Sequence, residues 1–450
     1  MRDATSSTLA HAATRWLPWL LALAGFAFDV AAYWPGQMSF DSAYTWWQVR
    51  NGTTMGIVPP VFVLVWRACD AILAGPGLLF ALHLTLFWGG LALLVRSLRF
   101  GVTSTLLTIL VIGFAPVPLL LRGHVWTDVG LFSALLSVTA ALASAHSGHR
   151  RGWLLLALPL LLYAATLRHN ALGAVLPFAL WFGWLSVRAG DAAKRSSAML
   201  ASVGLLAAIL LLTQALDATV RERAPSWPML AQWDLAALSI ETDRMLLPDF
   251  MIGPGLDVPD LAQAFRPWSN LPMLMNTKHG MRAPFETFSD EDLALLRRAW
   301  LDAIAAYPRA WLAHRWRLTR ALLGAHAPDW PSELLYVDDE VVYRDNPSIA
   351  RNATALHAAL MDSAATLAAT PLLAPWPYLL TGLLSLPAAW HRRRLIAGKI
   401  ALVLLASTAL YALTFTLFAT SAELRYLGWP CIASLLAAAC AWMTPREATR

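Results

Sequence analysis

The sequence predicts an all-α, multi-pass membrane protein, and three observations carry that reading. First, of the 450 residues 58% are hydrophobic and only 14% are charged, against roughly 25% charged in a soluble globular chain. The mean hydropathy of +0.53 agrees and excludes a soluble enzyme, a disordered chain and a collagenous one. Second, the apolar residues form long unbroken runs, where an outer-membrane barrel would show short alternating segments. Third, there are 22 Trp, and indole rings collect at membrane interfaces. The net charge of +6 comes from 34 Lys and Arg against 28 Asp and Glu. The basic residues cluster between apolar runs, which is a topogenic pattern, so no nucleic-acid partner is expected. Cys69, Cys431 and Cys440 lack metal or redox spacing and read as small apolar residues.

A spanning helix needs about 20 mostly apolar residues. Runs that fit lie at 16–34, 77–95, 102–120, 126–145, 152–167, 171–187, 197–216, 368–390, 396–418 and 426–443, which gives about ten spans. The first could instead be a cleaved signal peptide, although its apolar stretch is long for one and Asp29 interrupts it. The run at 57–74 opens with Pro59-Pro60 and carries Arg67 and Asp70, and reads as an interfacial or re-entrant helix. Leaving it out of the count puts Arg2 and Arg15, Arg96 and Arg99, Arg150 and Arg151, Arg188, Lys194 and Arg195, Arg392 to Arg394, and Arg446 and Arg450 on one side, the cytoplasmic side by the positive-inside rule. The chain then divides into an N-terminal transmembrane region, 1–216, of about seven spans; an extracytoplasmic domain, 217–366; and a C-terminal transmembrane region, 367–450, of about three spans. The expected location is a bacterial inner membrane.

Within 217–366, Ser289-Asp290-Glu291-Asp292 reads as an N-cap with acids in the first turn. Leu293, Leu296, Trp300 and Ile304 follow at helical spacing, and Pro308 ends that helix. The next helix, 309–323, carries Arg309, Arg315, Arg317 and Arg320 beside Trp311, Leu312 and Trp316, a basic amphipathic pattern suited to a membrane surface.

Ionisable groups within membrane segments are functional candidates by default. The topology places Asp41, His124, Asp128, Arg168, His169, Glu423 and Arg425 at one outer rim, where they could converge. Each also has an ordinary structural reading. Asp41 could be a solvated loop acid. Asp128 follows Thr127 at a helix start, where an acid favours the macrodipole. Arg168 and Arg425 could be snorkelling anchors. His124 and Asp128, four apart, form with Asp41 a candidate divalent-metal set, though no metal is the leading expectation. Asp338-Asp339-Glu340 reads as a solvated loop. Asn51-Gly-Thr53 and Asn352-Ala-Thr354 fit a glycosylation pattern. There is no Gly-rich phosphate loop, nucleophile elbow or metalloprotease motif, and paired broken helices of the kind found in secondary transporters are not evident.

The segment from Tyr33 to Gly52, YWPGQMSFDSAYTWWQVRNG, resembles the first extracytoplasmic loop of bacterial GT-C-type membrane glycosyltransferases. The matching residues are Pro35-Gly36, Asp41-Ser42 and Gln48. Trp126-Thr127-Asp128, LRHNALGAVLPF at 167–178, Asp234-Leu235-Ala236 and Arg425-Tyr426 look like the same group. Val58 stands where relatives often have His, and Thr127 where they often have Lys. The resemblance implies a GT-C-like fold and transfer of a sugar from a polyprenyl-phosphate donor to a lipid, polysaccharide or protein acceptor. It makes Asp41, in the loop 35–56, the catalytic base. The leaving group is an anionic lipid phosphate, so Arg at the rim is the fitting partner; Arg168, Arg425 and, on the surface helix, Arg315 are the candidates. Asp128, His124, His169, Glu423 and Gln48 would support them. Trp46-Trp47 would hold the loop against the headgroups, and the basic helix would hold anionic lipids. The alternative from another class is a transporter or flippase for a lipid or solute, which should carry charge near the midplane. A ligase or acyltransferase of the same topology is a third reading. An acyltransferase would need a membrane-embedded His, and His83 is the candidate within a span.

Overall fold

Among the described residues, nine apolar helical segments, one of them a bent pair of short helices, are grouped around a single buried helix. The computed structural model describes residues 2–55, 58–147, 150–187, 192–221, 225–275, 288–325, 341–349 and 352–443. Among them it is all-helical. The N-terminal region runs α1 (Arg2–Tyr33), α2 (Phe40–Asn51), α3 (Pro60–Asp70), α4 (Gly77–Ser97), α5 (Val102–Phe114), α6 (Pro116–Arg122), α7 (Thr127–Ser147), α8 (Arg150–Thr166), α9 (Leu172–Val187) and α10 (Ala192–Asp217). The middle segment holds α11 (Trp227–Thr242), α12 (Val258–Ala264), α13 (Leu271–Met275), α14 (Asp290–Ala306), α15 (Pro308–Leu322) and α16 (Ala355–Ala368). The C-terminal region adds α17 (Pro375–His391), α18 (Ile396–Phe418) and α19 (Gly428–Met443).

Six of the described helices are long and apolar enough to cross a membrane, or seven if the bent pair α5–α6 is one span. The chain is therefore a helical membrane-embedded protein. The bend of 59° falls at Ala115, where Pro116 cannot continue the hydrogen-bond ladder. The other three expected positions are filled by α8, α9 and α17, of 17, 16 and 17 residues. Each has a proline inside it (Pro159, Pro177 and Pro387) and is shorter than the roughly 20 residues of a usual spanning helix. α3 has 11 residues, too few to span.

Burial ranks the helices. The spanning window of α7 is 94% buried, against 17% for α10 and 33% for α1, so α7 is the hub and α10 lies at the periphery. α4, α8, α9, α18 and α19 all pack on α7. A helix apolar all round, as α7 is, belongs in such an interior.

α1 is locked to this bundle by charge as well as by apolar packing. Asp29 and Arg122 are both fully buried and form a bidentate pair at 2.8 and 3.0 Å. Trp88 Nε1 donates to the same carboxylate at 2.7 Å. The Arg122 guanidinium also lies 4.5 Å from the Phe87 ring centre and 4.9 Å from that of Trp88. A Cβ on Gly25 or on Gly113 would overlap the Trp88 ring, so this indole is sandwiched between α1 and α5. A lipid has no hydrogen bonds to give a buried carboxylate; the pair and the indole supply them.

The two ends of the bundle are distinct. At one end Ser97 and Ser144 pair through their hydroxyls at 2.6 Å, His146 stacks on Trp184, Lys399 sits 5.0 Å over the Trp184 ring, and Ser104 donates to Met443 O at 3.3 Å. The other end holds Trp34 against Gly77, and a short bridge pairs Gln37 with the 123–125 turn (Gln37 N to Gly123 O 2.7 Å, Val125 N to Gln37 O 3.1 Å).

The middle segment is built around α11, most of whose residues are buried. α12, α14 and α15 pack on it. The N-cap expected at Ser289 is present, and the structure makes it a capping box with Asp292 as the reciprocal partner. α14 ends at Ala306, and Pro308 opens α15 as an N-terminal proline.

Candidate functional site

The 35–56 segment is largely helical rather than a loop. Ser39 caps α2 by accepting from Ser42 N, so Asp41 lies in the first turn of a helix, where the macrodipole favours an acid. Ser42 Oγ donates to Val125 O at 2.8 Å and Trp126 Nε1 donates to Ser39 Oγ at 2.8 Å. The start of α2 is thereby fastened to the turn that leads into α7.

On this platform the rim charges converge. Arg425, in the one-turn segment before α19, donates from Nη1 to Asp41 Oδ2 at 2.7 Å and from Nε to Glu423 Oε2 at 2.5 Å. Its guanidinium lies 5.0 Å from the Trp126 ring centre and 5.6 Å from that of Tyr426. Glu423 is held in turn by Ser421 Oγ at 2.7 Å and the Tyr426 hydroxyl at 3.0 Å. Beside it Arg168 pairs with the buried Asp128, and sits 5.0 Å over Tyr426 and 5.6 Å over Phe415. Asp128 feels Arg168, Arg425, Glu423 and Asp41 together, so these are one electrostatic cluster. Burial alone would lower Arg168; Asp128, with Tyr411 and Tyr426, outweighs it and raises the guanidinium above its ordinary value, so Arg168 stays charged.

Exposure separates the members. The Asp41 side chain is 60% exposed, Glu423 26% and the two arginines 17% and 18%, while Asp128 is 3%. Asp41 is the acid that a second molecule can reach, and its Oδ1 makes no hydrogen bond among the described residues. His124 stacks on Trp126 at 3.9 Å between ring centres, with Nδ1 toward Leu120 O at 3.2 Å; it lines the platform. His169 is exposed and has no hydrogen bond or ion pair with the cluster. Gln48 is buried on α2, where Oε1 accepts from Met55 N at 2.9 Å, so it pins the chain after the helix. Among the described residues no three His, Cys, Asp or Glu side chains are grouped as a metal site requires.

Arg315 is not on a surface. It is 2% exposed, pairs with the fully buried Asp234, and donates to Ala419 O at 2.7 Å. Asp234 also accepts from Trp300 Nε1 at 2.9 Å and Trp311 Nε1 at 3.0 Å, and His314 Nε2 lies 3.3 Å away. Burial alone would raise this carboxyl; its His314 and Arg315 neighbours outweigh it and hold it below its ordinary value. A phosphate-binding role for Arg315 is corrected to a structural one. Through Ala419, with Asn270 N to Thr420 O at 3.1 Å and Ala422 N to Trp268 O at 2.8 Å, the middle segment braces the 419–422 turn that precedes Glu423 and Arg425. Only one face of α15 fits the surface reading: Arg309, Leu312, Trp316 and Arg320 are exposed.

Trp46 and Trp47 are also reassigned. Trp46 is buried and donates to Asp70 Oδ1 at 3.0 Å, and Trp47 donates to Asp345 Oδ1 at 2.7 Å. Both hold α2 to protein rather than to lipid. Asn51 donates to Trp47 O and Asn352 to Ala31 O, so both glycosylation-type asparagines have intramolecular partners. His83 is buried against Tyr163, 2.9 Å from its hydroxyl. The acidic run 338–340 lies outside the described residues.

Sequence reasoning missed Trp126, Tyr426 and Ser421 as site members, although Trp126 and Tyr426 stand in the motifs that carry the resemblance. It also missed Asp234 as the centre of the brace. No family model matches the chain, and no curated protein matches it either.

Proposed function

We propose that this protein is an integral-membrane glycosyltransferase of GT-C type that moves a sugar from a polyprenyl-phosphate donor to a hydroxyl acceptor. The observation that carries the reading is the exposed Asp41 carboxylate held by Arg425 beside the Asp128–Arg168 pair. The cluster is closed on itself, with three carboxylates (Asp41, Asp128, Glu423) around two guanidiniums. A donor phosphate would replace Asp41 on Arg425, because that contact is the most exposed one. Charge-assisted bonds to phosphate favour the guanidinium fork. Glu423 and Tyr426 would keep Arg425 in place during the exchange. Asp41, released, would take the acceptor proton as its oxygen attacks the sugar carbon and the C–O bond to the lipid phosphate breaks. The phosphate leaves as an anion against Arg425 and Arg168. No metal is needed for this balance.

The membrane placement in this reading has about ten crossings, with α8, α9 and α17 as short ones and α5–α6 as a bent one. Arg96 and Arg99, Arg150 and Arg151, Lys194 and Arg195, and Arg392 to Arg394 belong to the bundle end opposite Asp41, which supports a cytoplasmic assignment for that end. The catalytic face would then be the outer one, where middle segment 217–366 also lies, in a bacterial inner membrane. Mass spectrometry of envelope glycans, lipids and proteins from a strain lacking the gene tests the proposal. Loss of one hexose or pentose from a defined acceptor is expected. Unchanged glycans, with a changed lipid or solute distribution, would replace the enzyme by a transporter.

A further inference from the structure

A groove of about 590 Å³ opens on the bundle flank far from the Asp41 cluster, lined from α1, α4, α7 and α8. One stripe of α4 (Thr85, Gly89 and Leu93) lines it, and the exposed Arg96 and Arg99 line it at the C-terminal end of that helix, its mouth. Trp19 and Trp153 also line it. α4 starts beside Trp34 at the rim end, so Arg96, 19 residues further on, lies about 28 Å away along the helix. From Thr85 to Arg96 is about 16 Å by the same rise, close to the roughly 15 Å of one leaflet's hydrocarbon.

We infer that this groove binds an anionic glycerophospholipid of the leaflet opposite the Asp41 cluster, with an acyl chain along Gly89 and its phosphate between Arg96 and Arg99. The hydroxyls in the wall are already satisfied: Ser137 Oγ donates to Leu86 O at 2.6 Å, and Ser97 and Ser144 pair with each other. The wall therefore offers hydrocarbon a surface without unmet polar groups. The two mouth guanidiniums are exposed and are in no ion pair among the described residues, which gives an anionic headgroup its partner. The glycine pair divides the work. A Cβ on Gly90 would press into Ser137, so Gly90 lets α4 and α7 approach, whereas a Cβ on Gly89 meets nothing within 4 Å. Gly89 leaves open the space a chain would fill, and a side chain there can occupy the groove without disturbing the bundle.

The test is native mass spectrometry of the purified full chain exchanged into mixed micelles of phosphatidylglycerol and phosphatidylcholine. The wild type is expected to retain phosphatidylglycerol in preference by on the order of tenfold, the size of one lost bond to a charged group. Arg96→Gln with Arg99→Gln should erase the preference while a lipid is still held. Gly89→Phe should remove the retained lipid at an unchanged melting midpoint, and Gly89→Leu is the smaller substitution to use if Phe impairs folding. Equal retention of the two lipids, or retained lipid unchanged in both Gly89 variants, overturns the inference. So does a dimer that Gly89→Phe dissolves, because a second copy would then fill the groove.

Discussion

The buried Asp29–Arg122 pair makes a sharp energetic prediction. Asp29 accepts two bonds from Arg122 and one from Trp88, and both charged groups are fully buried. Arg122→Ala leaves a carboxylate with the indole as its single donor; Asp29→Asn leaves a guanidinium without a counter-charge. Breaking a buried pair from one side costs about 3–5 kcal/mol, because the remaining charge has no water to turn to. Trp88→Phe keeps a ring between Gly25 and Gly113 and loses one bond to a charged group, about 1.5–3 kcal/mol. Asp29→Leu with Arg122→Met removes both charges and should cost less than either single change, since replacing a buried pair with apolar groups is often near neutral. Unfolding midpoints in mixed detergent micelles, analysed as a double-mutant cycle, read this out. Single variants within about 0.5 kcal/mol of wild type, the range of a surface substitution, would refute the reasoning. So would a double variant equal to the sum of the singles.

Because Asp29 comes from α1, the protein extracted from membranes should still contain residues 16–34; peptide mapping that finds them removed would contradict the role of α1 as part of the bundle. His314, on α15 and so not in a membrane-spanning helix, is pushed below its ordinary value by burial. The unfolded chain then binds more protons below about pH 6.5, so stability is full above that pH and falls as pH drops toward the folded value. His314→Asn should flatten the midpoint-against-pH curve from pH 7.5 to 5, and an unchanged slope would count against this. Arg168→Lys and Arg425→Lys should raise the donor KM by about ten- to a hundredfold, as expected for lost charged hydrogen bonds, with membrane insertion intact; normal donor saturation in both would favour the anchor reading. Reporter fusions after residues 99 and 290 should report opposite sides of the membrane, and equal signals would sink the orientation.

The helical membrane fold was legible because apolar runs of this length leave few alternatives. Each of the ten expected runs contains a helix; α8 and α9 match their runs to within two residues, whereas α17 begins only at Pro375, because the chain turns at 369–374, which hydropathy does not register. The rim cluster was legible in part. Alternating topology puts Asp41, Asp128, Arg168 and Arg425 at one end before any contact is known. What topology cannot give is pairing. Arg315 stands in a basic amphipathic pattern, and nothing local says that Asp234, 81 positions earlier, takes it inward. Trp46 and Trp47 illustrate the same limit, since an indole beside the membrane has the same sequence signature whether its N–H meets a headgroup or Asp70 and Asp345. Arg122 drew no notice because its partner lies 93 positions away on α1.

The measurement closest to the central claim is the turnover of Asp41→Asn on the donor and acceptor identified from the glycan comparison. Asparagine keeps the shape, so expression should change little, and donor affinity should hold or rise because a neutral amide competes less with the phosphate for Arg425. The basic lone pair is gone, and a general base contributes about 10²–10⁴-fold. Turnover should therefore fall by about 10²-fold or more, and Asp41→Glu should recover little because a base displaced by one methylene misses the acceptor hydroxyl. Near-normal turnover in Asp41→Asn would contradict the account and leave Asp41 as a solvated acid at the start of α2.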